Sequence, residues 1–265
     1  FVHDRQTGVT QRVSVDTGGV QANGDSLIPS ISADGLHIAF ASTANNLVTG
    51  DTNGVQDFFV RQLGPASFDL ATLQNTLLNP TPNVGDNFGN AVAASGNILV
   101  VGERYGDIGT TNAGVAYIYN ATTGALLHTL TNPTPVSGDE FGFSVATDGT
   151  YVVVGAIGDD SAAPHPGAAY VFNAQTGALL YTLHIPTPGS GDEFGFSVAV
   201  GGGRIAVGAR SDDLGAPDAG AVHLFNASNG AFLYTRSNPS PATSDIFGSS
   251  VALSGDTLVV GAYGD

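Results

Sequence analysis

The chain has 265 residues, 42% of them apolar and 11% charged, and its 37 glycines keep no three-residue period, so it is neither disordered in bulk nor collagenous. Its 23 acidic side chains outweigh 7 basic ones, all arginine, and the formal charge of −16 repels phosphate backbones and anionic membranes, so no nucleic-acid partner is expected. With no cysteine there is no disulfide or thiolate site, and no apolar run is long enough to span a bilayer as a helix, so membrane insertion is not expected.

In chain order, residues 1–62 carry short strand-like runs: TQRVSV (10–15), PSISADG (29–35) and HIAFAS (37–42). FVHDRQTG (1–8) is partly echoed by FFVRQLG (58–64). Asp51-Thr52-Asn53-Gly54, followed by Asp57, sets oxygen side chains at alternate positions before a glycine, as at the start of a calcium loop. Asp51, Asn53 and Asp57 are therefore candidate Ca²⁺ ligands. The register is short and lacks a terminal Glu, and a polar turn into a strand at 57–61 is the competing reading. Residues 63–67 read as a linker. FDLATLQNTLL (68–78) reads as the fourth strand of a blade, since it leads straight into Asn79-Pro80.

From there the chain repeats. GDNFGNAVA (85–93), GDEFGFSVA (138–146), GDEFGFSVA (191–199) and SDIFGSSVA (244–252) align without gaps, and Phe88, Phe141, Phe194 and Phe247 follow one another at intervals of 53 residues. ILVVGERYGD (98–107), YVVVGAIGDD (151–160), RIAVGARSDD (204–213) and TLVVGAYGD (257–265) form a second block, and GVAYIYNATTGALLHTL (114–130), GAAYVFNAQTGALLYTL (167–183) and GAVHLFNASNGAFLYTR (220–236) a third. A Pro-x-Pro hinge closes each repeat (80–82, 133–135, 186–188, 239–241), because proline cannot join a ladder.

Each repeat predicts four strands. In the second copy strand one is Phe141–Ala146, with Phe141, Phe143 and Val145 alternating against small residues. Strand two is the β-branched run Val152–Val154, strand three Ala169–Phe172 and strand four Ala178–Leu183, with a hairpin turn at 173–177. No amphipathic helix is found. Four antiparallel strands every 53 residues predict an all-β fold of β-propeller blades, incomplete as a fragment: the chain opens inside a strand-like run and closes on Gly264-Asp265 inside a repeat.

On these motifs, region 68–265 resembles the FG-GAP repeats of integrin α-subunit heads and of many bacterial secreted proteins. The FG pairs are Phe88-Gly89, Phe141-Gly142, Phe194-Gly195 and Phe247-Gly248, and the Gly-Ala pairs are Gly155-Ala156, Gly208-Ala209 and Gly261-Ala262. The family's following proline is replaced by Ile157, Arg210 and Tyr263, and in the first copy Glu103 stands for the alanine. Residues 1–62 look like one repeat of a TolB-like propeller, on SISADGLHIAFAS and DTNGVQDFFV. The resemblance implies a seven-bladed ring, a secreted or cell-surface bacterial protein, and adhesion or recognition as its role. The calcium cage of integrin-type repeats does not carry over: none of the links 94–97, 147–150, 201–204 and 254–257 offers the several oxygen ligands that Ca²⁺ prefers.

A second acidic set follows from topology. Strand one starts where strand two ends, so Asp139 and Glu140 should meet Asp159 and Asp160, and Asp192 and Glu193 should meet Asp212 and Asp213. Asp86, Glu103 and Asp107, and then Asp245 and Asp265, repeat the theme. Such clusters could hold Ca²⁺; the competing reading is that the aspartates hydrogen-bond their own turns or only solubilise the surface. The six histidines show no metal-ligand spacing. Asn120-Ala121-Thr122 and Asn226-Ala227-Ser228 read as turn chemistry rather than glycan acceptors.

The loops 103–113, 157–166 and 210–219 vary between copies and share one face, so they form the expected ligand surface. Arg104, Arg210 and His165 are its candidate anchors for an extracellular protein or glycan. No nucleophile elbow or phosphate loop occurs, and acids that recur in phase give no unequal acid–base pair, so the expectation is no enzyme. The alternatives are an accessory propeller of a larger secreted hydrolase and a purely structural repeat module. The lone fourth strand at 68–78 and the final strands at 244–265 are expected to complete one shared blade.

Overall fold

A computed structural model describes the chain apart from residues 4–7, 33–34, 36, 50, 52–55, 64–69 and 161–164, with backbone alone for 70–76. Every regular element among the described residues is a strand. A small hairpin pairs β1 (Val2–His3) with β2 (Thr10–Gln11). The first sheet is β3 (Ser26–Ile31), β4 (His37–Ser42), β5 (Asp57–Leu63) and β6 (Leu70–Leu77). The second is β7 (Phe88–Ser95), β8 (Ile98–Glu103), β9 (Val115–Asn120) and β10 (Leu126–Thr131). The third is β11 (Phe141–Thr147), β12 (Tyr151–Ala156), β13 (Ala168–Asn173) and β14 (Leu179–Leu183), and the fourth β15 (Phe194–Gly201), β16 (Arg204–Ala209), β17 (Ala221–Asn226) and β18 (Phe232–Ser237). A hairpin of β19 (Phe247–Ser254) and β20 (Thr257–Ala262) ends the series.

Each four-stranded sheet is an antiparallel meander in chain order, and successive sheets stack face to face. The apolar cores lie between sheets rather than within them. Val100, Ile118 and Leu130 of the second sheet meet Phe141, Val154 and Phe172 of the third. Val153, Ala169 and Val171 of the third meet Phe194, Val207 and Phe225 of the fourth. This explains the uninterrupted Val152-Val153-Val154 run: a strand covered on both faces has no solvent side to alternate with. The first strands β7, β11, β15 and β19 lie against one another, while β10, β14 and β18 leave most of their residues exposed or half-buried. Strand one is thus the inner strand and strand four the outer one: propeller blades that do not close into a ring.

Two expectations change. Strand one does not alternate simply: Phe141 pairs with Ala156 and Ser144 with Gly155, so a bulge extrudes Gly142 and Phe143. Gly142 takes φ 91°, and a Cβ there would stand 2.3 Å from the Val115 carbonyl oxygen of the preceding sheet. Only glycine lets the inner strand come this close to the preceding sheet. The fourth strand expected at 68–78 is not left alone: β6 pairs with β5 through Phe58 to Leu77 and Val60 to Asn75 and completes the first sheet.

Candidate functional site

The start of strand one, the end of strand two and the start of strand three gather at one end of each sheet, as the expected loop face requires. There the acids fall into three recurring roles. The turn aspartates Asp86, Asp139, Asp192 and Asp245 are all buried. Each accepts the N–H of the residue three positions earlier: Asn83, Val136 and Ala242 at 2.7 Å, Gly189 at 2.5 Å. Asn132 and Asn238 add side-chain bonds to Asp139 and Asp245 at 2.7 and 2.8 Å. These acids fasten the proline hinge to the turn, a tight local bond pattern that Asp supplies readily.

A second acid sits behind each turn and takes the polar tip of a strand-three side chain. Tyr170 donates to Asp159. His223, in phase with it, places Nε2 3.2 Å from Asp212. Tyr117, also in phase, donates to Glu103 at 2.6 Å. In the second sheet Gly106 occupies the Asp159 phase, and Glu103, three residues earlier and one methylene longer, supplies the carboxylate instead; Asn79 donates to it as well. The third role belongs to Asp107, Asp160 and Asp213, which accept the N–H of Asn112, His165 and Asp218 at 2.9, 2.6 and 2.9 Å and so fold the variable loops back on themselves.

Burial sets the electrostatics. Desolvation pushes Asp139 up to about 6; Asp159 and Asp160 add to this, while the bonds from Val136 and Asn132 oppose it. Glu103 rises to about 7, mainly by desolvation, against the bonds from Tyr117 and Asn79, with Asp86 raising it further. Asp192 and Glu140 are raised for the same leading reason.

The inner bulges carry a different arrangement. Phe143 and Phe196 lie 5.0 Å apart between ring centres, Arg104 stands over Phe143 at 5.4 Å, and Arg210 stands over Phe196 at 3.9 Å. Arg210 also pairs with Glu193, and Arg104 lowers the pKa of Glu140 by its charge. The two arginines therefore sit on the loop face with their charges already engaged. His165 keeps an exposed ring, 3.1 Å from Asp160.

The structure brings Asp139 near Asp159 and Asp160, and Asp192 near Asp212 and Asp213, as topology demanded. Among the described residues, no three acidic or histidine side chains converge as a metal-holding set. Of the other candidate set, Asp51 is half-buried, Asp57 is buried at the start of β5, and Asn53 lies outside the described residues. Between the first and second sheets the same face opens into a cleft of about 1050 Å³.

Residues to which the sequence reading gave no role in the site do much of this work. Asn132, Asn238, Tyr117, Tyr170 and His223 complete the carboxylate network. Asn90, Ser144 and Ser197 clasp neighbouring sheets: Asn90 donates to the Gly142 and Phe143 carbonyls, Ser144 to Gly195 and Ser197 to Gly248. The 53-residue phase was the available signal, since Ser144 and Ser197 coincide in it and the Asn132 position returns as Asn238.

A family profile described as FG-GAP repeat matches residues 72–119, 128–172, 188–225 and 240–265, one match for each inner-strand phenylalanine. No curated protein matches the chain.

Proposed function

We propose, from the premise that this chain belongs to the FG-GAP repeat family, that it is a non-catalytic binding propeller. Its ligand is an extracellular protein or glycan, and the ligand surface is formed by loops 103–113, 157–166 and 210–219. The reading places the protein outside the cell or on the cell surface of a bacterium.

One observation carries it. An identical brace, a loop aspartate accepting the N–H five residues on, recurs at Asp107, Asp160 and Asp213, while the residues it presents differ. Arg104, Ile157 and Arg210 occupy one phase, as do Asn112, His165 and Asp218. A constant scaffold beneath variable tips is how recognition surfaces are built on repeat folds. Ca²⁺ enters as an assisting ion that would have to displace the N–H and O–H donors now holding Asp139, Asp159 and Asp160.

The test is binding of the chain to arrays of glycans and extracellular-matrix proteins, repeated with Asp107→Ala and Asp213→Ala, with and without Ca²⁺. A ligand lost in the brace variants is the expected result. No ligand on the arrays for any of the three proteins would favour the structural-module reading, which the saturated carboxylate network supports.

A further inference from the structure

Among the described residues, three sheet junctions are zipped on the loop face by one recurring backbone bond. Phe141 donates its N–H to Ala113 at 2.9 Å, Phe194 to Pro166 at 2.8 Å, and Phe247 to Ala219 at 2.9 Å. In each case the loop before strand three is tied to the next Gly-Asp turn. Between the first and second sheets, where residues 50 and 52–55 of the loop before strand three lie outside the described residues, the loop face holds the cleft of about 1050 Å³. Its volume is at the upper end of the usual range for ligand sites. Phe58 fills the space under Gly89 and packs edge-on to Phe88 at 5.8 Å. One wall is the β3 bulge, where the register slips between Leu27 and Ser30 and Ile28 takes φ 51°, a strained conformation for a β-branched residue.

We propose that this cleft is a binding site for a neutral oligosaccharide. It goes beyond the loop-face reading and shares only Arg104 with it. Gln56, Asn83 and Asn87 line the cleft, and among the described residues their side chains make no hydrogen bond. A primary amide both donates and accepts, which matches a sugar hydroxyl that does the same. Leu78 and Val84, both exposed on the lining, supply apolar surface for the C–H faces of sugar rings. Asp57 and Asp86 outnumber Arg104 on the walls, and the chain carries −16 overall, so sulfated or carboxylated glycans are disfavoured. Arg104 brings a buried Nε with no acceptor to the inner wall.

The experiment titrates the full chain with maltotriose, cellotriose and triacetylchitotriose, and with a sulfated cellotriose, by calorimetry and by NMR of the side-chain amides. At least one neutral trisaccharide should bind at millimolar concentration or below and shift the amide signals of Gln56, Asn83 and Asn87. The triple variant Gln56→Ala, Asn83→Ala, Asn87→Gly should weaken it at least about tenfold, as expected for several lost hydrogen bonds. Glycine at 87 keeps the left-handed backbone, and Asp256→Asn on the opposite face should change nothing. The amide shifts are read on the native chain, so they decide even if the variant fails to fold. No binding, unmoved amide signals, or tighter binding of the sulfated sugar would overturn the proposal. Binding lost in Asp107→Ala and Asp213→Ala but kept in the triple variant would overturn the cleft and leave the loop-face reading standing.

Discussion

The junction between the first and second sheets and the junction between the third and fourth bury similar apolar cores yet differ at the loop face. The later junction is closed by repetition: Gly155 lies under the Gly195 carbonyl, Ser144 donates to that same oxygen at 2.6 Å, and Phe194 donates to Pro166. In the earlier one β3 to β5 precede the FG-GAP matches, only the second sheet brings the Gly-Asp turn, and a cleft lies beside it. Where a repeat meets a copy of itself, backbone fits backbone. Where it meets the first sheet, the Phe58 ring lies under Gly89 instead.

The largest expected effect tests that closeness. A Cβ at Gly155 would stand 2.1 Å from the Gly195 carbonyl oxygen and 2.4 Å from Ser144 Oγ, so Gly155→Ala must push two sheets apart. A loss of roughly 2–4 kcal/mol in denaturant unfolding is expected. At the open junction Gly85→Ala meets nothing within 4 Å and carries only the strain of φ 98°, for about 1 kcal/mol. Equal losses at both sites would erase the contrast.

Next comes pH. The folded pKa of Glu103, about 7, lies above its ordinary 4.5, so folding favours the neutral acid. Its contribution is fully present below about pH 4.5 and is lost as pH rises through about 7, with a span of up to roughly 3 kcal/mol. Glu103→Gln should flatten that part of the stability–pH curve. Asp139 should leave a separate fall ending near pH 6. Urea melts between pH 4 and 8 read both, and a curve unchanged in the variant would remove Glu103 from the account.

A smaller effect separates the two ways of satisfying a buried acid. Tyr170→Phe removes the hydroxyl that Asp159 accepts, with an expected cost of about 1–3 kcal/mol. His223→Tyr restores in the fourth sheet the residue type found in the other two and should be close to neutral. Thermal melts of both variants check this pair of outcomes.

How much of this the sequence disclosed follows from what a period can carry. The in-phase phenylalanines and the Val152–Val154 run announce stacked four-stranded sheets, because a repeat that cannot cover its own faces must be covered by its neighbours. The convergence of Asp139 on Asp159 follows from antiparallel pairing alone. The bulge at Gly142 was hidden, since Phe-Gly-Phe reads as ordinary alternation until the adjoining backbone forces it out of register. Glu103 was legible as the acid standing in the first copy's cluster, but its contact with Tyr117 was not, because it preserves that contact by moving the acid off its phase. The cleft lies where β3 to β5, outside the 53-residue repeats, meet the second sheet, so no period could reveal it.

The smallest prediction uses one repeat position three times. Ser144 and Ser197 donate across a junction to Gly195 and Gly248 at 2.6 and 2.7 Å. Ser250 holds the same phase in the last hairpin, and among the described residues its hydroxyl meets no following sheet. Ser144→Ala and Ser197→Ala should each cost about 1 kcal/mol, the net worth of one partly buried hydrogen bond, while Ser250→Ala should leave the melting temperature unchanged. The three substitutions are chemically identical and sit on equivalent strands, so intrinsic strand preference cancels between them. Only the presence of a neighbour differs. Equal effects at all three would mean that the serine serves its own strand, and that the clasp between sheets rests on the glycine backbone alone.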